Sequence, residues 1–288
     1  MEQTLPLSGI RVLEFTHMVM GPTCGMVLAD LGAEVIKVEP PGGDKTRRLP
    51  GLGIGFFRSF NRNKKSIVLD ITGEEGRAAA AELAGQCDVV LENFRPGLMA
   101  QLGLDYATLS ARFPRLIYVT HKGFLPGLYE NRLALDEVVQ MMGGLSYMTG
   151  PVGRPLRAGT SVNDIMGGLF GAIGVLAALR ERERTGKGQE VQSALFENCV
   201  FLASQHMQQY LIVKFRIKGR HSAVVVQRKL GFVVVHSTTK KDAVASFRWG
   251  SSELMVGTPT QVPLRTAEPS SLHDQRQTSG IDRRCLPE

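Results

Sequence analysis

The sequence predicts an α/β fold in which helices cover a mostly parallel, open sheet. Two observations carry this prediction: short β-rich runs alternate with helical stretches, and glycine and proline mark the junctions between them. Strands that alternate with helices usually form parallel sheets, because each helical crossover returns the chain to the same edge. In such sheets ligands usually bind beyond the carboxyl ends of the strands.

We expect five strands and three helices in the first 120 residues. The runs with strand composition are Ile10–Phe15, Val35–Val38, Ser66–Leu69, Val89–Leu91 and Leu116–Thr120. Helical composition and spacing occur between them at Pro22–Leu31, Glu74–Gly85 and Tyr106–Phe113. Turns are predicted at Gly21-Pro22, at residues 40–43 and at Pro96-Gly97.

A long helix is predicted from Asp164 to about Glu183. Four glycines lie in its apolar stretch, at Gly167, Gly168, Gly171 and Gly174. Glycine is a poor helix former, so we expect these positions to permit the close approach of another backbone or a bulky cofactor. A turn at residues 185–188 then leads to a strand at Glu190–Leu195 and to a further helix from about Glu197.

The composition changes near residue 210. Residues 1–210 contain 21 Lys and Arg against 21 Asp and Glu, whereas residues 211–288 contain 13 against 6, so the net charge of +7 lies in the second segment. We therefore predict a large domain over 1–210 and an atypical basic tail over 211–288, partly disordered because residues 257–288 have little to bury. The tail could contact phosphates, but no nucleic-acid motif accompanies it, so we expect no nucleic-acid partner.

Several other classes of protein are disfavoured. The N-terminus lacks the basic and apolar segments of a secretory signal. The apolar stretch Ile165–Leu179 is shorter than the roughly 20 residues of a membrane-spanning helix. The four cysteines have no CxxC spacing, so neither a zinc site nor a disulfide framework is indicated. We expect a cytoplasmic protein that has no metal and does not bind a membrane.

Residues 9–39 have the strand, turn, helix and strand of a dinucleotide site, with Glu39 in a position to bind a ribose. Such a site needs closely spaced glycines so that the backbone can approach a pyrophosphate. Here Gly21 and Gly25 stand alone, and Pro22 lies between them. A nicotinamide enzyme is therefore a disfavoured alternative.

Asp164 has two possible roles where a loop enters the long helix. An Asp at a helix entrance commonly caps the helix, and such a cap is worth about 1 kcal/mol. A carboxylate next to small residues can instead be reached by a substrate and act as a covalent nucleophile. The two roles compete for the same oxygen atoms.

A series of short motifs extends from residue 7 to about residue 210. They are Leu7–Phe15, Gly21-Pro22, Ala29–Glu39, Gly43-Asp44 with Arg47, Asn63–Ser66 with Leu69-Asp70, Glu92–Phe94 with Pro96-Gly97, Lys122-Gly123, Asp164 with Gly167-Gly168, and Thr185–Gln189. In this order and spacing they resemble the family III coenzyme A transferases, the CaiB/BaiF group that includes the formyl-CoA transferases. No single motif is decisive, and the resemblance rests on the whole series.

This resemblance implies the large domain of that family's fold, acyl-CoA and a small carboxylic acid as substrates, and a homodimer. It implies that Asp164 attacks the acyl-CoA thioester and that covalent aspartyl intermediates follow, without a metal. It places seven residues along coenzyme A: Met18, Val19, Met20, Leu69, Asn93, Phe94 and Lys122. The alternatives are a turn residue at Asn93, core packing at Phe94 and a solvated charge at Lys122.

Racemases that resemble this family pair the aspartate with a histidine, and the corresponding position here is Leu135. Leucine cannot transfer a proton, so an α-methylacyl-CoA racemase-like activity is only a third interpretation, unless His121 replaces that histidine. We expect His17 to be buried and hydrogen-bonded. Arg132 and Arg157 could hold a second carboxylate of the acceptor, or could be surface charges.

Members of the family are longer than this chain and carry a small second domain with a glycine-rich loop over the active site. Nothing after about residue 211 resembles that domain. Either the tail is divergent, or a change of reading frame or splicing has replaced the continuation. The alternative to an active transferase is therefore a truncated or frame-altered, catalytically inactive fragment that binds coenzyme A.

Overall fold

The computed structural model describes residues 4–216 and 245–246. Within these residues the strands are β1 (Arg11–Phe15), β2 (Glu34–Glu39), β3 (Lys64–Val68), β4 (Val89–Glu92), β5 (Ile117–Lys122), β6 (Glu190–Ala194) and β7 (Ala245–Ser246). They form one sheet in the order β3-β2-β1-β4-β5-β6-β7. Every neighbouring pair is parallel.

The helices alternate with the strands. In the described part of the chain they are α1 (Met20–Asp30), α2 (Phe56–Phe60), α3 (Glu74–Gly85), α4 (Leu98–Gln101), α5 (Tyr106–Arg112), α6 (Asp136–Met142), α7 (Leu145–Thr149), α8 (Val162–Thr185) and α9 (Leu195–Arg216). Two 3-10 turns lie at Lys45–Arg48 and Gly51–Gly55.

The predicted α/β class and parallel sheet are confirmed. Strands β1 to β6 match the predicted runs, and their ends differ by no more than a few residues. The short helices α2, α4, α6 and α7 were not predicted. The predicted boundary at residue 210 falls inside α9, and most of the predicted tail, 217–244 and 247–288, lies outside the described residues.

The order of the strands determines where a ligand can bind. The chain adds β2 and β3 on one side of β1 and then crosses to the other side to add β4, β5 and β6. The connections after β1 and β4 therefore leave the sheet in different directions, which opens a crevice at the carboxyl ends of these two strands. The segments that follow them begin at residues 16 and 93.

Two apolar clusters cover the two faces of the sheet. On one face, α1 and α8 pack on alternate strand residues such as Val12, Val89 and Val191. On the other face, α3 and α5 pack on the intervening residues, such as Leu13 and Val90. Because strand side chains alternate between faces, the central strands are apolar on both sides.

The glycines of α8 bring this helix close to α1, as predicted. A Cβ atom at Gly168 would lie 2.6 Å from the carbonyl oxygen of Met20 and 2.9 Å from the backbone nitrogen of Cys24. A Cβ atom at Gly171 would lie 2.5 Å from His121 Nε2. The prediction of close packing at these glycines is therefore confirmed.

Helix α8 is longer than the apolar stretch read from the sequence. Among the described residues it is the one helix whose length and composition would suffice to cross a membrane, and half of its apolar segment is buried inside the fold. Its buried side contains Ala172, Val175 and Ala178, which pack on the sheet. Its apolar composition is accounted for by this core packing.

Substitution of Gly168 by alanine should destabilise the fold although alanine favours helix formation. The new methyl group would meet backbone atoms of α1, which cannot rotate away, so we expect a loss of about 1–3 kcal/mol in the free energy of unfolding. Ala177→Ser, on the exposed side of α8, is the matched control and should change stability by less than about 0.5 kcal/mol. Urea denaturation measures both, and equal stability of the two variants would contradict the packing argument.

Candidate active site

A cleft of about 870 Å³ opens at the carboxyl ends of β1, β4 and β5 and reaches the first turn of α8. Its lining includes Met18, Val19, Met20, Asn93, Phe94, Lys122 and Asp164. Six of the seven predicted coenzyme A contacts and the predicted nucleophile thus line one cleft. The remaining contact, Leu69, is not among the lining residues in the described part of the chain, and its side chain packs against the core on the face of α3.

Asn93 holds the segment that follows β1. Its Oδ1 accepts a hydrogen bond from the backbone nitrogen of His17 at 3.0 Å, and its Nδ2 donates to the carbonyl oxygen of His17 at 2.8 Å. The ring of Phe94 stacks on the imidazole of His17, with a centroid distance of 5.7 Å. The expectation that His17 is buried is wrong, since the residue is exposed and lines the cleft.

The next residues turn sharply into α1. Met18 has a positive φ of 63°, which is uncommon for a residue with a side chain. Its backbone nitrogen donates to Thr46 Oγ1 at 3.1 Å, and this bond helps to hold the conformation. Val19 and Met20 are buried, so this wall of the cleft, the segment 18–20, is held by the hydrogen bond at Met18 and by the packing of the next two side chains.

A buried ionic network lies beneath the same wall. Lys37 Nζ donates to the carbonyl oxygen of Thr16 at 2.5 Å and lies 3.1 Å from Asp44 Oδ2. Lys64 Nζ lies 2.8 Å from Glu14 Oε2, and both side chains are almost completely buried. Buried charges are tolerated only when they are paired and hydrogen-bonded. The network therefore fixes the end of β1 where the cleft begins.

Glu39 is occupied by internal contacts. It accepts hydrogen bonds from Arg47 Nε at 2.8 Å, from Arg47 Nη2 at 2.6 Å and from the backbone nitrogen of Asp44 at 2.8 Å. The hydrogen bonds from Arg47 are the main cause that lowers the pKa of Glu39 to about 2. Glu39 is thus engaged within the fold rather than presented to a ribose, in line with the disfavoured dinucleotide alternative.

Lys122 lies at the end of β5 and is half-buried in the cleft wall. The neighbouring Glu92 is 5% exposed and accepts a hydrogen bond from the backbone nitrogen of Phe94 at 2.8 Å. Burial raises the pKa of Glu92 to about 7, and the charge of Lys122 partly opposes this shift. Lys122 is therefore a cleft-lining cation whose charge acts on this buried acid.

Asp164 is the third residue of α8 and not its cap. Ser161 occupies the N-cap position and makes no side-chain capping bond. The carboxylate of Asp136, from the start of α6, instead accepts from the backbone nitrogens of Asn163 at 2.7 Å and Asp164 at 3.2 Å. The capping role considered for Asp164 is therefore filled by Asp136.

The environment of Asp164 favours its protonated form. The residue is half-buried in the cleft. Burial is the largest cause that raises its pKa to about 7, and the negative charges of Asp136 and Glu137 add to the effect. The guanidinium of Arg157 acts in the opposite direction. Near neutral pH this carboxyl group therefore exists in both protonation states.

His121 and Leu135 both line the cleft but differ in character. His121 is 2% exposed, its Nδ1 lies 3.3 Å from the carbonyl oxygen of Glu92, and burial lowers its pKa to about 4. Leu135 is 60% exposed and immediately precedes Asp136. The position expected for a second proton-transfer group thus presents an apolar side chain to the cleft.

Arg132 and Arg157 both line the cleft. The guanidinium of Arg132 lies 4.6 Å from the centre of the Tyr129 ring. Arg157 lies 4.0 Å from Glu137, a long ion pair that leaves much of its hydrogen-bonding capacity unused. Within residues 4–216 and 245–246 no group of three or more His, Cys, Asp or Glu side chains is arranged to hold a metal ion.

The arrangement as a whole places a protonatable carboxylate among amides, arginines and a lysine at the switch point of a parallel sheet. A sequence model of CoA-transferase family III matches residues 7–248, which is most of the chain. The chain belongs to CoA-transferase family III. This family match extends beyond the boundary predicted at residue 210.

Curated relatives and a solved structure agree with this assignment. The chain is 41% identical over 205 residues to a formyl-CoA:oxalate CoA-transferase of Bradyrhizobium sp. (strain ORS 278), covering 69% of this chain and 48% of the relative. It is 41% identical over 221 residues to a succinate–glutarate CoA-transferase of Agrobacterium fabrum, covering 72% and 55%. A CaiB/BaiF family protein from Brucella suis superposes with a TM-score of 0.69 at 40% identity, covering 74% of this chain and 59% of that protein.

The chain spans about half the length of the curated relatives it matches. Sequence reasoning identified Asp164 and six of the predicted coenzyme A contacts in the cleft, but it missed the lining residues Asp136 and Glu137 and the buried Gln140 that bonds to Asp136. The spacing of Asp136 and Gln140, one helical turn apart, was the available signal for a side-chain pair. No local pattern indicated that this pair would bond to the start of α8.

Asp164→Asn should stabilise the protein at high pH and have little effect at low pH. Below the ordinary Asp pKa of 3.8 the carboxyl group is protonated in both the folded and unfolded states. Between pH 3.8 and about 7 ionisation is favoured only in the unfolded state, so the wild type loses stability as pH rises, by at most about 4 kcal/mol. Asparagine carries no charge and avoids this loss.

Urea denaturation of both proteins at pH 5 and pH 8.5 measures this difference. The stability gained by Asp164→Asn should be larger at pH 8.5. Glu75→Gln, at an exposed carboxylate in α3, is the control, and its effect should stay within about 0.5 kcal/mol. A gain that is the same at both pH values would show that Asp164 is not destabilised by ionisation.

Proposed function

We propose that this chain transfers coenzyme A between carboxylic acids through covalent intermediates on Asp164. The observation that carries the proposal is that two different carboxylates cap α8 and face the cleft. Asp136 accepts the backbone hydrogen bonds of the helix end, while Asp164 lines the cleft. The oxygens of Asp164 are therefore not required as a helix cap and can react with a substrate.

The first half-reaction removes coenzyme A from the donor. The ionised Asp164 attacks the thioester carbonyl of the acyl-CoA, the carbon–sulfur bond breaks, and CoA thiolate leaves as a mixed anhydride forms. The thiolate then attacks the aspartyl carbonyl of this anhydride. The donor carboxylate departs, and a thioester between Asp164 and coenzyme A remains.

The second half-reaction follows the same steps in reverse order with a new acid. The acceptor carboxylate attacks the aspartyl thioester, forms a second anhydride and releases CoA thiolate. The thiolate attacks the acyl carbonyl of the acceptor, which gives the new acyl-CoA and regenerates ionised Asp164. Proton balance is maintained because every nucleophile and every leaving group in the cycle is an anion.

We infer that coenzyme A lies along Met18, Val19 and Met20 and beside Asn93 and Phe94. This path is supported by their common position at the carboxyl ends of β1 and β4, where ligands of parallel sheets bind. Lys122 would bind a polar or anionic part of the cofactor. The role proposed for Leu69 has the weakest support, since its side chain packs against the core.

For the acceptor we propose a small dicarboxylic acid. Arg157 and Arg132 line the same cleft as Asp164, and a guanidinium can bind a carboxylate through two parallel hydrogen bonds. One carboxylate would react at Asp164 while the other pairs with an arginine. The names of the relatives, which include oxalate, succinate and glutarate transferases, support this class of substrate.

Removal of the nucleophile should abolish transfer. With succinyl-CoA and a panel of dicarboxylates, we expect Asp164→Ala to lower turnover by at least about 1,000-fold. For the wild type, kcat/KM should rise with pH through about 7, because only ionised Asp164 is nucleophilic. Mass spectrometry after hydroxylamine treatment should detect a hydroxamate at Asp164.

Glu183→Gln is the matched control, because it removes a carboxylate from the exposed end of the same helix. This variant should keep wild-type turnover. If Asp164→Ala retained turnover, or if the hydroxamate formed at another residue, Asp164 would not be the nucleophile.

Asn93→Ala should weaken the binding of coenzyme A. The variant loses both hydrogen bonds that hold the His17 backbone, so the adjoining Met18 segment is no longer fixed in the binding conformation. We expect the dissociation constant to rise roughly tenfold, which corresponds to about 1.4 kcal/mol. Calorimetric titration with coenzyme A measures it.

The control for this variant is Gln86→Ala, at an exposed position after α3 that does not line the cleft. Its dissociation constant should equal that of the wild type. Unchanged binding in Asn93→Ala would argue against a cofactor path beside Asn93.

A second candidate is a protein that binds coenzyme A without turnover. It is favoured by the observation that the chain covers only 48–55% of the relatives described above. Binding in the calorimeter together with no turnover for any donor and acceptor pair would support it. A homodimer is part of the transferase proposal, and gel filtration of the full chain tests it.

A racemase-like activity is a third candidate with less support, because Leu135 stands where a proton-transfer histidine is expected. Exchange of the α-proton of a 2-methylacyl-CoA with deuterated water would favour it over transfer.

A further inference from the structure

We propose that Asp136 and Gln140 form a positioning pair that holds the first turn of α8 on α6 and leaves the Asp164 carboxylate available to the substrate. The catalytic consequence rests on the proposed function. The geometry does not depend on that function, because it consists of hydrogen bonds between α6 and the backbone that leads into α8.

Asp136 supplies one half of this pair. The side chain is 3% exposed, and its Oδ1 accepts from the backbone nitrogens of Asn163 at 2.7 Å and Asp164 at 3.2 Å. Its Oδ2 accepts a hydrogen bond from Gln140 Nε2, one helical turn later. Both oxygens of this buried carboxylate are therefore used, as a buried charge requires.

Gln140 supplies the other half. It is fully buried, and its Oε1 accepts from the backbone nitrogen of Ala158 at 2.7 Å. The orientation of its amide is fixed, because the nitrogen must donate to Asp136 while the oxygen accepts from Ala158. The pair thus bonds to the segment 158–164, which leads into α8, near both of its ends.

The local sequence would otherwise direct Asp164 to a different role. Ser161 and Asp164 have the spacing of a capping box, in which the acidic side chain at the third helical position bonds back to the backbone nitrogen of the cap. Ser161 makes no side-chain capping bond in the structure, and Asp136 accepts from the backbone nitrogen of Asp164 instead. An external cap thereby replaces the local one.

The charge of Asp136 also acts on the Asp164 carboxylate, and this effect can be separated from the hydrogen bonds that Asp136 accepts from the α8 backbone. The charged groups that shift the pKa of Asp164 are Asp136 and Glu137 from α6 and Arg157 from the preceding loop. Three further cations, Arg95, Lys122 and Arg132, and the histidines His17 and His121 line the same cleft. Asp136→Asn keeps an oxygen that can accept from the α8 backbone, but it removes one negative charge and the bond from Gln140, because two amide nitrogens would then face each other.

Three variants test the pair in the full chain. Asp136→Ala and Gln140→Ala should each lower kcat roughly 100-fold, because a displacement of about 1 Å of a reacting group has an effect of this size. Their dissociation constants for coenzyme A should stay within twofold of the wild type. Asp136→Asn should retain more of kcat than Asp136→Ala, and the midpoint of its kcat/KM against pH should lie below the wild-type value.

The matched control is Asp88→Ala. Asp88 also caps a backbone nitrogen, that of Arg11 at 2.9 Å, and pairs with Arg182 at 2.9 Å. It does not line the cleft in the described residues. Asp88→Ala should lower the stability of the protein but keep the wild-type kcat. If this variant lost as much kcat as Asp136→Ala, general destabilisation would explain both effects and the inference would be overturned.

A second readout separates this inference from the proposed function. Carbon-13 NMR of labelled aspartate carboxyl groups identifies Asp164 by the signal that is missing in Asp164→Asn. This carboxyl should titrate near pH 7 in the wild type and at lower pH in Asp136→Asn. The Asp136→Asn variant provides this test even if the alanine variants do not fold. Absence of wild-type turnover would refute the proposed function alone, whereas an Asp164 signal whose shift and titration are unchanged in both Asp136→Asn and Gln140→Ala would refute the positioning pair.

Discussion

The close approach of α8 to α1 is the contact on which the rest of the site depends. Gly168 lies against the backbone and the Thr23 side chain of α1, and Gly171 lies against the His121 side chain of β5, so α8 itself contributes no side chain at these two contacts. A larger residue at either position would push the helix outward and lift its first turn out of the cleft. The half-buried position of Asp164, and hence its raised pKa, follows from this backbone contact.

Because α8 lies deep in the fold, the backbone N–H groups of its first turn are removed from water and need hydrogen-bond acceptors. Asp136 meets this requirement from α6, but a carboxylate placed there also repels the charge of Asp164. Asp136 and Asp164 are therefore coupled, and a change to one alters the other. Arg157 offsets part of the repulsion and would gain further from an anionic substrate beside it.

The sheet could be predicted from the sequence because its information is local. β1 and β4 are buried on both faces and flanked by turn residues, so composition alone marked their positions. The site was less accessible, since the bond between Asp136 and the Asp164 backbone joins residues 28 positions apart. For this reason the sequence could not show that Asp136, and not Asp164, caps α8. The prediction that His17 is buried was wrong because Asn93 holds the His17 backbone at the open switch point. Leu69 matched a family motif, but the location of its side chain depends on packing between β3 and α3.

For the nucleophilic role proposed for Asp164, two energies matter: the cost of ionising a carboxyl group whose pKa is raised, and the cost of removing water from the ionised carboxylate. With a pKa near 7, about half of the Asp164 carboxyl groups are ionised at neutral pH, which lowers the reactive population only about twofold. A fully hydrated carboxylate, by contrast, must lose part of its water shell before its oxygen reaches a thioester carbon, and that step costs several kcal/mol. In this fold Asp164 is half-buried, so its carboxylate is already partly shielded from water. Asp136 accepts from the backbone of the helix end, so the oxygens of Asp164 are not needed there. The same burial that raises the pKa would therefore favour the proposed attack by more than the twofold loss of ionised carboxylate disfavours it.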